Sequence, residues 1–218
     1  MSSPEQPSDL LTSCALIGTS TWSDALDECG IAGVVRGLAR RGGQGRFAGF
    51  AVTARQSVDT LGSFGRMDLG IGKILDAAGP GAVLMISMGG AEVSTLGGLA
   101  ALAAKMKGVA GIVIDGACRD VDEIAATGLW VSSRHVVPTT GKTRVRLESL
   151  GAEANVGGVR VRNGDLVIGD DTGIVVVPQH EMTRVLKIAE KMMAKDMAVE
   201  KALKSGKSFA EAAAAAKF

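Results

Sequence analysis

The sequence predicts an α/β fold, in one domain with a parallel βαβ core and a long C-terminal helix. Two continuous apolar runs, residues 82–87 and 111–115, lack polar alternation, which is typical of strands buried on both faces of a sheet. A stretch of helical periodicity at residues 96–107 separates them, so we expect a crossover between two parallel strands. From His180 onward, apolar residues keep helical spacing over several turns, which predicts the long helix.

The N-terminal half supplies further elements around this core. A helix is predicted to begin near Thr21 and to end at Gly30. A strand is predicted over residues 46–53 and a helix over residues 69–78. After the second core strand, residues 121–127 are predicted to form a short helix that ends at the following glycine.

The chain after Pro138 has the turn residues and short apolar runs of β-structure. Strands are predicted at three places: residues 156–161, 166–168 and 173–177. Asn163 and Gly164, between the first two of these runs, predict a hairpin turn. The region before the long helix is therefore expected to be rich in β-strands.

Both ends of the chain are predicted to lie outside the domain. Residues 1–8 are polar and contain proline, which predicts a disordered arm. The folded domain is assigned to residues 9–205, and residues 206–218 are predicted to form a helical tail. A length of 218 residues suits one sizeable hydrophobic core.

Composition excludes several classes of partner. The formal net charge is +1, so no overall electrostatic field would draw the chain to nucleic acid or to an anionic membrane. With two Trp, five Phe and no Tyr, the chain lacks an aromatic platform for stacking bases. Three cysteines without metal-ligand spacing indicate a reduced compartment. Without a secretory signal or a membrane-length apolar stretch in the sequence, we expect a cytoplasmic protein with no membrane partner.

A glycine-rich loop at residues 88–99 leads from the first core strand into a helix. Glycines allow the backbone to approach a ligand closely, and the free N–H groups of a helix start favour an anion such as a carboxylate. The alternative is a long connection with ordinary turn glycines. The loop by itself does not decide between these two interpretations.

A second loop carries Asp115, Arg119 and Asp120 after the other core strand. The Arg fork binds a carboxylate at two points, and a nearby acid can hold a hard divalent cation. A substrate with adjacent carboxylate and carbonyl oxygens would satisfy both groups; the alternative is a capped helix with a surface ion pair. Cys118 is a candidate thiol nucleophile, but neither histidine is placed by the sequence to activate it. The motifs of dinucleotide, nucleotide and serine-hydrolase sites are absent from the sequence.

Four segments of the sequence match a known family pattern. The most specific is GVAGIVIDGACRDVDEI at residues 108–124, and the others are SDALDECGI, GRFAGFAVTA and NGDLVIGDDTGIVVVP. In these segments the chain resembles the RraA-like family, which includes the 4-hydroxy-4-methyl-2-oxoglutarate and 4-carboxy-4-hydroxy-2-oxoadipate aldolases. The resemblance implies an α/β/β sandwich-type domain that assembles as a homotrimer or hexamer, with sites between subunits.

The resemblance also implies roles for residues of the two loops. Arg119 is expected to bind the pyruvyl part of the substrate, and Asp120 to ligate Mg²⁺ or Mn²⁺. Backbone amides of four residues are expected to hold the substrate carboxylate: Gly97, Gly98, Leu99 and Ala100.

One position departs from the family pattern. Aldolases of the family usually carry an acidic residue about twenty-one positions before the Arg, where this chain has Gly98. Glu92 in the same loop is one candidate outer-shell replacement. Asp196 of a neighbouring subunit is another, better aligned than Glu200. Either acid is equally explained as a solvated surface charge.

The expected activity is that of a class II, metal-dependent pyruvate aldolase. It would cleave 4-hydroxy-4-methyl-2-oxoglutarate-type 2-oxo acids and decarboxylate oxaloacetate, since both reactions leave the same enolate. With Gly98 in place of the usual acid, decarboxylation is expected to survive better than aldol cleavage. The alternative is an RraA-type regulator that binds ribonuclease E without catalysis. Relatives of that kind tend to lack the acid after the Arg, so Asp120 favours catalysis.

Overall fold

The computed structural model describes residues 7–216 of the chain. The disordered arm predicted over residues 1–8 falls mainly on residues 1–6, which lie outside the described residues, and the first helix begins at Pro7. Seven α-helices are present between residues 7 and 216: α1 (Pro7–Leu16), α2 (Thr19–Glu28), α3 (Ile71–Asp76), α4 (Gly98–Met106), α5 (Val121–Ala126), α6 (Met182–Lys204) and α7 (Phe209–Ala216).

The helices predicted from apolar periodicity are present, with boundaries that differ by up to two residues. The long C-terminal helix is α6, whose buried side chains Val185 and Ala189 face the interior. α1 was not predicted. α2 begins at Thr19, before the predicted start, because Asp170 from a distant turn accepts a hydrogen bond from the Thr19 N–H. A capping partner so far away in sequence leaves no local signal.

Twelve strands are present in the described part of the chain: β1 (Val34–Val35), β2 (Ala39–Gly42), β3 (Phe47–Val58), β4 (Ala82–Ser87), β5 (Ser94–Leu96), β6 (Gly111–Cys118), β7 (Trp130–Val136), β8 (Val145–Leu150), β9 (Ala154–Val156), β10 (Val159–Val161), β11 (Leu166–Gly169) and β12 (Ile174–Val177). Ten of them form one curled, mixed sheet with the order β1-β12-β11-β3-β4-β6-β7-β2. β5 pairs with β6, and β8 pairs with β3. β9 and β10 form a separate hairpin.

The parallel βαβ core is confirmed. β4 and β6 are parallel neighbours joined through α4, and Val83 pairs with Gly111 at the start of their register. All eight positions of β6 are buried, which accounts for its unbroken apolar pattern. β6 extends to Cys118, beyond the predicted end, because its last residues pair with β5 and β7. The residues that follow β6 are thereby brought to the edge of the sheet where β5 ends.

Two predictions after Pro138 were wrong. Residues 156–161 do not form one strand, because Gly157 and Gly158 adopt positive φ angles of 57° and 84° and reverse the chain between β9 and β10. Asn163 and Gly164 do form a turn, but the strands on either side of it belong to different sheets and do not pair. The turn residues correctly predicted that the chain reverses here, but they did not determine which strands pair.

Three apolar clusters hold the layers together. One lies between the sheet and α3, α4 and α5, and includes Leu84 and Ile114. A second lies on the opposite face beneath the β9–β10 hairpin, where Phe47 and Trp130 contact each other with ring centroids 4.6 Å apart. The third packs α1, α2 and α6 against β11 and β12. None of the helices within residues 7–216 combines the length and apolar composition that crossing a bilayer requires.

Asp170 joins the β11–β12 turn to the first turn of α2. Its carboxylate accepts hydrogen bonds from Thr19 N–H at 2.9 Å and from Thr19 Oγ1 at 2.6 Å. The same carboxylate accepts from Thr172 N–H at 2.8 Å and from Gly173 N–H at 3.3 Å. Burial acts to raise the pKa of Asp170, but the hydrogen bonds outweigh it and hold the pKa below its ordinary value.

Replacing Asp170 with Asn is expected to destabilise the fold by about 1–2 kcal/mol at pH 7, because one acceptor oxygen and the negative charge are lost. The folded pKa of Asp170 is depressed, so its stabilisation is present above the unfolded value of about 3.9 and is lost as pH falls through the folded pKa. Urea unfolding at pH 7 and near pH 3 should show the difference between wild type and variant shrinking in acid. Asp122→Asn, an exposed acid, serves as the control. A difference that stayed constant over this range would contradict the assignment.

Candidate functional site

A cleft of about 460 Å³ opens where β5 and β6 end. Its walls are the end of β5, the first turn of α4, the β6–α5 connection and the loop after β7. Open α/β sheets bind ligands at the carboxyl ends of their strands, which is where this cleft lies. Residues that the sequence singled out line it: Gly97, Leu99, Ala100, Arg119 and Asp120. Gly98 is buried next to it and contacts Asp120.

The end of β6 places Arg119 and Asp120 together in this cleft. The Arg119 N–H donates to the Leu96 carbonyl at 3.0 Å, which joins the end of β6 to β5. Asp120 has left-handed backbone angles, φ 55° and ψ 48°, which are uncommon for residues other than glycine. Its Oδ2 lies 3.4 Å from Arg119 Nε, and both side chains are 38% exposed. The guanidinium and the carboxylate therefore share one solvent-accessible cavity.

The Asp120 side chain bonds to α4 and does not cap its own helix. Asp120 occupies the N-capping position of α5 without a side-chain capping hydrogen bond. Its Oδ2 instead accepts a hydrogen bond from the Gly98 N–H at 3.3 Å. A Cβ on Gly97 would overlap this carboxylate and would lie 3.1 Å from Arg119 Nε. An ordinary capped helix with a surface ion pair would not require this close approach between two loops.

The N-terminus of α4 provides amides for an anion. Gly97 precedes the helix and, as a glycine, has no side chain of its own to cap it. The Gly98 amide is engaged by Asp120. Because first-turn N–H groups have no acceptor within the helix, the amides of Leu99 and Ala100 remain for a carboxylate. An anion at this helix start would meet the amides of Leu99 and Ala100, and both residues line the cleft.

Lys142 is a second cation at the cleft that sequence reasoning missed. Its loop is fixed to β5, because Ser94 N–H donates to the Thr139 carbonyl at 3.0 Å. A Cβ on Gly141 would lie 3.1 Å from Leu69 and would overlap the Ser94 carbonyl, so glycine permits this contact. The next residue, Thr143, has a positive φ of 64°. A Gly-Lys pair in a loop after a strand was the available signal, and it is too common to be specific.

Glu123 and Thr95 also line the cleft and were not predicted. Glu123 lies on α5, one turn after Asp120. Thr95 lies in β5 and is buried, and its hydroxyl oxygen has no hydrogen-bonding partner in the described structure. Spacing gave no signal for Glu123, because an acid in the first turn of a helix is ordinary.

The two acids suggested as replacements at Gly98 lie elsewhere in this chain. Glu92 is exposed and is not among the residues that line the cleft. Asp196 lies on α6, where its Oδ2 accepts a hydrogen bond from Thr21 Oγ1 at 3.5 Å. Within one chain, neither acid reaches the pair formed by Arg119 and Asp120.

The contacts of Asp115 and Cys118 are typical of residues that support the fold. Asp115 is buried and accepts hydrogen bonds from Arg134 Nε at 2.6 Å and from Gly157 N–H at 2.9 Å, which ties the β9–β10 hairpin to β6. Cys118 is fully buried, with its Sγ 3.3 Å from Ser133 Oγ. Burial raises the pKa of the Cys118 thiol, so it stays protonated near neutral pH. The activated-thiol interpretation is therefore not supported.

The cleft offers few side chains that could hold a metal ion. Within residues 7–216, no group of three or more His, Cys, Asp or Glu side chains is arranged to hold a metal. Mg²⁺ is held by one or two carboxylates and keeps water and substrate oxygens as its other ligands. Asp120 is the residue that could supply such a carboxylate, since its Oδ1 accepts no hydrogen bond from the described residues.

A larger cleft of about 550 Å³ lies between β2 and the end of α5. Its two arginines already have partners in the fold. Arg41 donates to the carbonyls of Ser133 and Arg134, each at 3.3 Å, and Arg40 pairs with Asp171. Size alone therefore does not make this cleft the functional one.

The sequence model of the RraA-like family, described as Aldolase/RraA, matches residues 19–176 of the chain. The chain belongs to the RraA-like family. It is 30% identical over 196 residues to a protein of Halalkalibacterium halodurans provisionally named a 4-hydroxy-4-methyl-2-oxoglutarate aldolase, and the match covers 89% of each chain. It is 34% identical over 122 residues to an uncharacterised protein of Methanocaldococcus jannaschii, a match that covers 56% of this chain and 58% of that protein.

Solved structures confirm the predicted RraA-like fold class. An uncharacterised protein from Pseudomonas syringae pv. tomato aligns with a TM-score of 0.84 and 27% identity, over 97% of this chain and 99% of that chain. The RNA-processing inhibitor RraA from Thermus thermophilis aligns with a TM-score of 0.60 and 26% identity, over 72% of this chain and 92% of that chain. The chain is therefore similar both to a provisionally named aldolase and to an RNA-processing inhibitor.

In the native protein, Cys118 is expected to resist iodoacetamide at pH 8, because its thiol is fully buried and its pKa is raised by that burial. Cys29, which is only partly buried, should react first. Peptide mapping after a timed reaction, with and without urea, gives the two rates. Rapid native labelling of Cys118 would restore the thiol as a candidate nucleophile.

Proposed function

We propose that the chain is a divalent-metal-dependent carbon–carbon lyase that releases pyruvate from 2-oxo acids of the 4-hydroxy-4-methyl-2-oxoglutarate type and decarboxylates oxaloacetate. The observation that carries the proposal is the Arg119 guanidinium and the Asp120 carboxylate in one cleft at the N-terminus of α4. The provisional aldolase name of a relative with 30% identity supports the same reaction class.

The groups of the cleft match the pyruvyl end of such a substrate. The amides of Leu99 and Ala100 receive the carboxylate, and Arg119 donates to the oxygens that carry the developing negative charge. A divalent cation held by Asp120 would supply Lewis-acid polarisation of the 2-oxo group. Asp120 is itself positioned for this by the Gly98 amide.

One enolate explains both activities. Retro-aldol cleavage breaks the C3–C4 bond, and its electron pair moves into the 2-oxo group, as it does when oxaloacetate loses carbon dioxide. Arg119 stabilises the charge in either case. Aldol cleavage additionally removes the proton of the 4-hydroxyl group, so it demands a base that decarboxylation does not. Decarboxylation is therefore the less demanding test of the site.

The site is proposed to be completed by a second copy of the chain, in a homotrimer or hexamer. α4 exposes three apolar side chains along one face: Leu99, Leu102 and Met106, with 82%, 46% and 81% of their surfaces exposed. An apolar stripe of this kind on a helix indicates a protein interface. Leu99 also lines the cleft, so a subunit that covers the stripe would border the substrate.

With Mg²⁺, the purified protein is expected to release pyruvate from oxaloacetate and from 4-hydroxy-4-methyl-2-oxoglutarate faster than the spontaneous reactions. EDTA should abolish the release. Arg119→Ala should lower kcat/KM on the order of 10²–10³-fold, because a charge-stabilising donor is lost. A lactate dehydrogenase-coupled assay measures the pyruvate.

Arg160→Ala is the matched control, since Arg160 is an exposed arginine on β10 that pairs with Glu153 outside the cleft. It should retain the wild-type rate. Failure of the wild type across a panel of 2-oxo acids, together with tight binding to ribonuclease E, would contradict the proposal and favour a regulator.

Met106→Asp is expected to shift the assembled protein toward smaller species, because it places a charge in the apolar stripe of α4. Met67→Asp alters a methionine of similar exposure, 88%, outside α4 and should leave the assembly unchanged. Sedimentation velocity at several concentrations measures both. A wild type that sediments as a monomer throughout would refute the proposed assembly.

A further inference from the structure

Gly98 leaves a space beside the cleft that a neighbouring carboxylate fills. A Cβ built on Gly98 would overlap the Glu123 Oε2 atom and would lie 2.8 Å from the Glu123 carboxyl carbon. Glu123 lies on α5, three residues after Asp120, and lines the same cleft. The absence of a side chain at position 98 thus allows the acid of another helix to reach the first turn of α4.

Two carboxylates therefore flank the start of α4. The Asp120 Oδ2 accepts from the Gly98 N–H, and the Glu123 carboxylate contacts the same residue from the side where Cβ would lie. Within residues 7–216, the Glu123 side chain has no hydrogen bond or ion pair. Asp120 already lies 3.4 Å from the Arg119 guanidinium, so Glu123 is the carboxylate of this pair that has room to take a cation.

Thr95 is a separate observation that points to a ligand in this cleft. Its hydroxyl oxygen is buried without a partner in the described structure, and the residue is 4% exposed. Buried hydroxyls are almost always hydrogen-bonded, because leaving one unpaired costs free energy. Since Thr95 lines the same cleft as Glu123 and Asp120, an oxygen-bearing ligand there would satisfy it.

We propose that Glu123 is the second carboxylate of a divalent-cation site that it forms with Asp120. The inference rests on the proposed function, because it assigns a further residue to the same cleft. Mg²⁺ and Mn²⁺ bind one or two protein carboxylates and keep water and substrate oxygens in their remaining positions. Glu123 thereby takes the place for which Glu92 and Asp196 had been considered from the sequence.

The test measures Mn²⁺ binding to the EDTA-stripped, full-length protein by electron paramagnetic resonance, without substrate. Glu123→Gln is expected to weaken Mn²⁺ binding on the order of 10- to 100-fold. Asp122→Asn is the matched control, because Asp122 is the neighbouring exposed acid of α5 and does not line the cleft. Wild-type affinity in Glu123→Gln, or a wild type that does not bind Mn²⁺, would overturn the proposal.

A double variant that moves the carboxylate from position 123 to position 98 distinguishes a role in cation binding from a role in folding. Gly98→Asp alone should lower the melting temperature by about 5 °C, because the new Cβ overlaps the Glu123 side chain. In a Glu123→Ala background the same substitution has room, and it should return both stability and Mn²⁺ affinity to within about tenfold of wild type. A double variant that is stable and does not bind Mn²⁺ would count against a shared role of the two positions.

The outcomes distinguish this inference from the proposed function. Mn²⁺ binding that depends on Glu123, in a protein that releases no pyruvate from any 2-oxo acid, would support the cation site and refute the lyase activity. In the opposite case, Arg119→Ala would abolish pyruvate release, and Glu123→Gln would leave both pyruvate release and Mn²⁺ affinity unchanged. That result would support the lyase and refute the role of Glu123.

Discussion

The contact between the Asp120 carboxylate and the start of α4 is the interaction on which the site depends. It joins the two loops that leave neighbouring parallel strands, and it is possible because Gly97 carries no side chain. The left-handed backbone of Asp120 is part of the same arrangement. With that contact in place, a guanidinium, a carboxylate and the free amides of a helix start face one cavity.

The core of the fold was predictable because its signals are local. β4 and β6 are buried on both faces, so their sequences are unbroken apolar runs, and the helix between them fixes a parallel crossover. β7 and β5 were not predicted. β7 mixes Ser, Arg and His with apolar residues, and β5 has three residues whose pairing with β6 depends on tertiary structure. The β9–β10 hairpin did have a local signal that was missed, because Gly157 and Gly158 form a two-residue glycine turn between its strands.

The sequence indicated the kind of chemistry at the candidate site, but it did not indicate all of the residues that line it. Arg119 and Asp120 follow a buried strand, and that position alone places them at the ligand-binding edge of a sheet. Glu123 and Lys142 enter the cleft through geometry that no spacing encodes: the space left by Gly98 and a loop fixed to β5. The acids chosen from sequence, Glu92 and Asp196, were selected by proximity in the loop and by alignment, and neither lines the cleft.

The most direct measurement of the central claim is an anomalous difference map from a crystal soaked with Mn²⁺ and pyruvate. The account predicts a manganese peak beside the Asp120 carboxylate, with the pyruvate carboxylate at the amides of Leu99 and Ala100 and its 2-oxo oxygen toward Arg119. A peak elsewhere, or pyruvate bound away from Arg119, would contradict it.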